Sequence, residues 1–428
     1  MMMRCGKRGF HYMILAGVLT GALAMLCAGT PSVQAAQPIK IGFGMALTGG
    51  LAGNGKAAVI SMEIWREDVN KKGGLLGRPV EFVYYDDQTK PANVPGIYSK
   101  LLDVDKVDLI ITPYGTNMMT PLLPLAVERG LVFMGLYGVA INEKFNHPYH
   151  FQIFPSGPDP KPDFSRGFFE VALQQNPKPQ TIALVAADAE FGHTVISGAR
   201  QHAKNPKYGL RIVYDAAYPP TTVDFTPVAR AIKATNPDIV FQASYPPDSA
   251  GMVLAAHEVG LRPKMFGGGM VGPQYAALMT KLGPKLNGVV NFDTWVPEPT
   301  LNFPGVNDFL KKYQAQAEKA GVDPLGHYLP PFAYANIDIL GQAVEATKSL
   351  DHKKIGEYIR AHEFNTIIGK VRFAPNGEWA KSRMLMVQFQ NIRGSDLGQF
   401  VGPGKRVVLY PEEWKSGRLI YPYAEALK

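Results

Sequence analysis

Ile39-Lys-Ile-Gly-Phe-Gly-Met-Ala-Leu47 runs into Thr48-Gly-Gly-Leu-Ala-Gly-Asn-Gly55, and the chain then reads Asp68-Val-Asn-Lys-Lys-Gly-Gly-Leu-Leu-Gly-Arg-Pro-Val-Glu-Phe-Val-Tyr-Tyr-Asp-Asp87. The first run is short and apolar, so it reads as a buried strand entering a glycine-rich turn. Ala58, Met62, Trp65 and Val69 then fall on one helical stripe, which Gly73-Gly74 stops. Pro79 to Tyr85 is a second strand, and Asp86-Asp87 ends it as a turn with capping carboxylates. Strand, helix, strand in this order is the unit of a parallel sheet.

The pattern extends outward. Val107 to Ile111 is a third strand, followed by a loop and a helix to Arg129; Leu131 to Leu136 is a fourth. Thr181 to Ala186, Arg211 to Tyr214, Ile239 to Gln242 and Met265-Phe266 continue it, each with helix before the next. That is more than one comfortable sheet, so the chain reads as two α/β lobes. The composition breaks at Phe154-Pro-Ser-Gly-Pro158 and at Trp295-Val-Pro-Glu-Pro299, and the tail from Ile367 turns β-rich, with Met384 to Gln390 as a clear strand. Of 428 residues, 46% are hydrophobic and 19% charged, which excludes wholesale disorder. The formal charge of +8 is spread thinly with no long Lys/Arg run, so no nucleic-acid partner is expected.

Residues 1–35 read as a secretory signal. Arg4, Lys7 and Arg8 precede an uncharged apolar stretch from Tyr12 to Ala28, and Val33-Gln-Ala35 supplies small residues for cleavage after Ala35. Leu26 before Cys27 argues against lipidation. Cleavage would remove Cys5 and Cys27, the only cysteines, leaving neither a disulfide nor a thiolate. No second segment is apolar enough to span a membrane, so the expected product is a soluble exported protein.

Several motifs imitate catalytic ones. Gly50 to Lys56 fits GxxxxGK, but Ala57 stands where a P-loop needs Ser or Thr for magnesium. Leu47 fills the third glycine position of a dinucleotide fingerprint. His147-Pro-Tyr-His150 is not helical and has no evident third ligand, so both histidines read as loop or core residues. GxSxG and SxxK are absent. No enzyme, metal or cofactor is expected.

With Ala187-Asp-Ala-Glu-Phe-Gly192, Asp224-Phe-Thr-Pro-Val-Ala-Arg-Ala-Ile-Lys233 and Asn236-Pro-Asp-Ile-Val240, the opening segments form an ordered set. This set resembles the periplasmic branched-chain amino acid-binding proteins, the solute receptors of ABC importers. The resemblance covers nearly all of the mature chain. It implies a type I periplasmic binding protein: α/β, two Rossmann-like lobes with parallel sheets, three hinge crossovers and a cleft that closes on ligand. The lobes would be 36–154 plus 294–367 and 155–293 plus 368–428, with boundaries at the two composition breaks. A small-molecule carboxylate and a membrane permease are the partners implied, with the protein itself a monomer.

Open α/β sheets bind ligands beyond the carboxyl ends of their strands, where helix N-termini offer free N–H groups. Pro113-Tyr114-Gly-Thr116-Asn117 lies at such a place. The resemblance puts Thr116 where similar receptors hold the ligand carboxylate through a serine, Tyr245 where they place a tyrosine, and Phe191 at an aromatic that caps the cleft. Asn54 replaces another aromatic, and Tyr328 lies near a third. Two departures bear on the ligand. Met270 occupies the place of the glutamate that holds an α-ammonium, and Tyr137-Gly138-Val139 stands where a threonine hydroxyl is expected. The family's cysteine pair is replaced by Thr89 and Gly115. A buried ammonium without an anion is costly. The expected ligand is therefore an aromatic or hydrophobic carboxylic acid lacking an amino group. Tyr137, Phe191, Tyr245, Met270 and Tyr328 would line its cleft, with two of the five expected to be core instead. An amino acid or small amide stays open as an alternative if Asp188 or another carboxylate enters the cleft, as does a sensor rather than a transport role.

Overall fold

The computed structural model describes residues 37–428, so the signal segment and both cysteines lie outside the described residues. Strand β1 (Ile39–Met45) pairs in parallel with β2 (Val80–Asp86) from Ile39–Val80 to Met45–Asp86, and with β3 (Leu109–Ile110) on its other side. Its side chains are buried on both faces except Lys40, which suits a central strand with helices above and below. β4 (Phe133–Gly135) and β5 (His150–Gln152) continue in parallel, joined to β3 by the Tyr114–Leu136 bridge and a 3.4 Å bond from Thr112 N–H to Met134 O. Helices from later in the chain return to this sheet. Trp65 Nε1 donates to Asp338 Oδ1 at 3.1 Å, Asn336 Nδ2 to Met134 O at 3.2 Å, and Val132 N–H to His352 Nδ1 at 3.0 Å.

The second sheet holds β6 (Thr181–Ala187), β7 (Arg211–Tyr218), β8 (Ile239–Ser244), β9 (Met265–Met270), β10 (Val289–Asp293), β13 (Leu385–Phe389) and β14 (Arg406–Tyr410). Its order is β14-β13-β10-β9-β8-β6-β7, parallel from β7 to β10 and antiparallel from β10 through β14. The hairpin of β11 (Glu363–Thr366) and β12 (Gly369–Arg372) stands apart from both sheets.

Three details depart from the sequence reading. The glycine-rich turn is shorter than expected, because the helix already begins at Ala52 and includes Gly53 and Gly55. The helix to Arg129 comes in pieces, Thr116–Met119, a 3-10 turn at Thr120–Leu122, and Leu123–Arg129. Pro121 and Pro124, which bring no N–H, sit at the joins. Strand β10 was not foreseen, although all five of its residues are buried. Asp86 behaves as read: Oδ1 accepts the N–H groups of Leu47 at 2.9 Å, Thr48 at 3.2 Å and Gln88 at 2.8 Å. His147 and His150 are buried. His147 Nε2 bonds Leu131 O at 2.7 Å and the His150 ring stacks on Phe133 at 5.3 Å.

Candidate functional site

The carboxyl ends of β1, β3 and β4 face those of β6, β8 and β9 across a set of loops. From the first side, the chain beyond β3 carries Tyr114 and opens the helix at Thr116. The Thr116 and Asn117 N–H groups begin that helix and have no intrahelical acceptor. Thr116 is buried, and its Oγ1 accepts the Val139 N–H at 3.1 Å. The hydroxyl proton is thereby left to donate elsewhere. Gly138 packs under Met119 and Gln152, where a Cβ would come within 2.3 Å of Met119 Cε. Tyr137 adopts φ +67°, a strained value for an aromatic residue, and its side chain is held in return. Its hydroxyl meets Thr294 Oγ1 at 2.8 Å and Tyr328 O at 3.1 Å, and its ring packs on Phe154, Tyr328 and Phe332 at 4.9–5.4 Å.

From the other side, Phe191 in the helix after β6 donates its N–H to Asn117 Oδ1 at 3.0 Å, a bond that bridges the two sheets' loops. Its ring packs on Tyr245 at 5.0 Å. The Tyr245 hydroxyl is buried with no hydrogen-bond partner among the described residues. It lies 3.3 Å from where a Cβ on Gly115 would stand, and the Asn117 N–H faces it. Asn117 and Tyr245 share a cavity of about 210 Å³ with Leu51, Met118 and Asp248.

Deeper in, Asn54 Nδ2 donates to the Tyr275 hydroxyl. Tyr114 joins them, its hydroxyl within reach of Tyr275, Tyr328 and Asn54, and burial pushes its phenol up to about 12. The rings of Tyr275 and Tyr328 meet edge-on at 5.5 Å, and those of Tyr114 and Tyr137 lie tilted to one another at 6.2 Å. Burial raises the phenols of Tyr137, Tyr245, Tyr275 and Tyr328 as well, so the group stays neutral. Such a group offers O–H donors and ring faces but no fixed charge.

The structure thus brings Asn54, Tyr114, Thr116, Asn117, Tyr137, Val139, Phe191, Tyr245 and Tyr328 around one junction. Met270, at the end of β9, is fully buried and packs in the second core cluster with Val240 and Phe266. The sequence reading missed Tyr275, five residues beyond Met270. It lies past an intervening 3-10 turn, Gly272–Gln274, that no periodicity announces. Of the carboxylates left open by the sequence, two can be placed. Asp188 is exposed and bonds His193 Nε2 at 2.7 Å, whereas Asp248 lines the cavity. Burial pushes Asp248 up to about 6, while the Tyr218 hydroxyl donates to it at 3.2 Å. Among the described residues no three metal-binding side chains come together.

Known proteins place this geometry. Leu/Ile/Val-binding protein homolog 8 of Brucella suis biovar 1 is 25% identical over 413 residues, spanning 94% of this chain and 97% of its own. A leucine-binding protein from Thermotoga maritima shares the fold at TM-score 0.70 and 20% identity, covering 82% of this chain and 96% of that one. A solute-binding protein of an ABC transporter from R. palustris, in complex with benzoate, does so at TM-score 0.70 and 17% identity, covering 87% and 95%. Residues 38–395 match the family described as periplasmic binding protein. The chain belongs to that family.

Proposed function

We propose that this periplasmic binding protein of the ABC transporter type takes an aromatic or hydrophobic carboxylic acid into the junction between two lobes, 36–154 plus 294–367 and 155–293 plus 368–428. The observation that carries the reading is the group of neutral phenols beside Thr116. The Thr116 hydroxyl, with one lone pair held by Val139, gives its proton to the carboxylate, and the N–H groups of Thr116 and Asn117 add to it. Tyr114, Tyr275 and Tyr328 present ring edges and hydroxyls to an aromatic body. Tyr245 and Phe191 cover it, and the Asn117–Phe191 bond forms as the lobes close. The exported, permease-docked state follows from this role. The benzoate held by the R. palustris neighbour is the same class of ligand.

Asp248 favours a second reading. A carboxylate lining the cavity is the partner an α-ammonium needs, and it would make the ligand an amino acid, as in the Leu/Ile/Val-binding relatives. A thermal-shift panel separates the two. The first reading predicts a rise of several degrees with benzoate in large excess and none with leucine. The reverse pattern, abolished by Asp248→Asn, would establish the second.

A further inference from the structure

A second cavity, about 1030 Å³, lies between the β11–β12 hairpin and the loop that leads into β13; it shares no lining residue with the junction cavity, although the Arg383 charge on its wall is felt by Tyr137. Arg383 forms part of its wall and is 8% exposed. Its guanidinium sits over the Trp379 ring at 4.6 Å and the Phe303 ring at 5.0 Å. The Trp414 ring meets Phe303 at 5.9 Å and completes an aromatic box. Arg383 has no hydrogen-bond or ion-pair partner for its side chain among the described residues, and the Trp414 indole N–H is likewise buried and unpartnered. The acids on the rim are held first by other partners, although the Glu413 charge also reaches Arg383. Glu413 holds Lys381 at 3.0 Å, Glu363 holds Lys370 at 2.9 Å, and Asp338 accepts from Trp65. Cations outnumber acids along the lining, and the Arg383 Nε, buried without a partner among the described residues, is costly unless something answers it. Burial pulls Arg383 down to about 10, so it remains a cation at neutral pH.

We infer that this cavity is a second ligand site, distinct from the junction, which takes an aromatic carboxylate. The carboxylate pairs with the Arg383 guanidinium in the two-pronged geometry arginine favours, with the Trp414 N–H as a further donor. The ring of the ligand lies against Trp414 and Phe303.

Two of the four tryptophans, Trp379 and Trp414, line the cavity, so tryptophan fluorescence reports its filling. Benzoate titrated into the full chain should quench it saturably. In Tyr245→Ala, which disturbs only the junction, the midpoint should stay within about twofold. Arg383→Gln should raise it about tenfold or more, and benzamide, which lacks the charge, should do the same on the unaltered protein. The benzamide arm decides the matter if Arg383→Gln does not fold. No quenching in the unaltered protein, quenching kept in Arg383→Gln, equal quenching by benzamide, or quenching lost in Tyr245→Ala would each overturn the second site. The junction reading stands or falls separately, on variants of Thr116 and Tyr245 in the thermal-shift panel.

Discussion

The Thr116 hydroxyl accepts the Val139 N–H, which leaves its proton free to donate to the proposed carboxylate. Thr116→Val removes that donor and should weaken benzoate binding by about 1–3 kcal/mol, whereas Thr116→Ser should keep most of the affinity. Calorimetric titration checks both, and equal affinities in all three proteins would take Thr116 out of the site. Asp87 carries a prediction about pH. Burial, with a smaller push from Asp86, raises its carboxyl from 3.8 to about 6, and its Oδ2 has no partner. The folded protein therefore holds this proton more tightly than the unfolded chain. Ionisation costs stability above about pH 6, and the cost is relieved as pH falls from 6 toward 3.8. Asn imitates the protonated acid and still accepts the Thr89 N–H. Asp87→Asn should melt roughly 2–4 °C above the parent protein at neutral pH, with the gap closing by about pH 4. A gap that ignores pH would contradict this. At this scale the sequence proposes a chemistry where residue type alone suggests one, as at Thr116 and Tyr245. It is silent where orientation decides. Nothing in Phe-Gly-Gly-Gly-Met270 says which face of β9 the methionine takes.

Helices and strands meet most closely at two glycines. A Cβ on Gly55 would stand 2.0 Å from Ala46 O, and one on Gly192 would stand 2.1 Å from Ala187 O. Each glycine lies in the first turns of the helix that follows an opening strand, β1 or β6, so both sheets use the same device to bring a helix against a strand end. Gly53, two residues before Gly55, is exposed and has nothing within 4 Å of a Cβ. Gly55→Ala should therefore cost about 1–3 kcal/mol, while Gly53→Ala should gain up to about 1 kcal/mol by helix propensity. Melting curves decide it, and a neutral Gly55→Ala would refute the close approach. The strands of the first sheet were legible because continuous apolar runs end in glycine or paired aspartates. The hairpin β11–β12 was not, since pairing rather than pattern creates it.

Over the whole molecule, the junction is tied by polar groups as well as rings. Arg406 of β14 gives NH1 to Asp293 Oδ2 at 2.9 Å, and its NH2 meets His327 Nδ1 at 2.7 Å, all three nearly inaccessible. Asp293 ends β10 just before the chain leaves the second sheet, and His327 precedes Tyr328 of the phenol group. Asp293→Ala would leave a buried guanidinium unpaired and should destabilise by about 3–5 kcal/mol in denaturant melts; a loss under about 1 kcal/mol would show that the pair holds nothing together. An α/β fold with two lobes was readable from the count of strand–helix units. Which loops face each other was not, because that depends on contacts between residues far apart, such as Asn117 with Phe191 and Asn54 with Tyr275. The most direct test of the central claim is a crystal structure of the protein with benzoate. It should show the carboxylate within hydrogen-bond reach of Thr116 Oγ1 and the ring between Tyr114, Tyr275 and Tyr328. Benzoate absent from the junction, or lying there with its carboxylate turned away from Thr116, would contradict it.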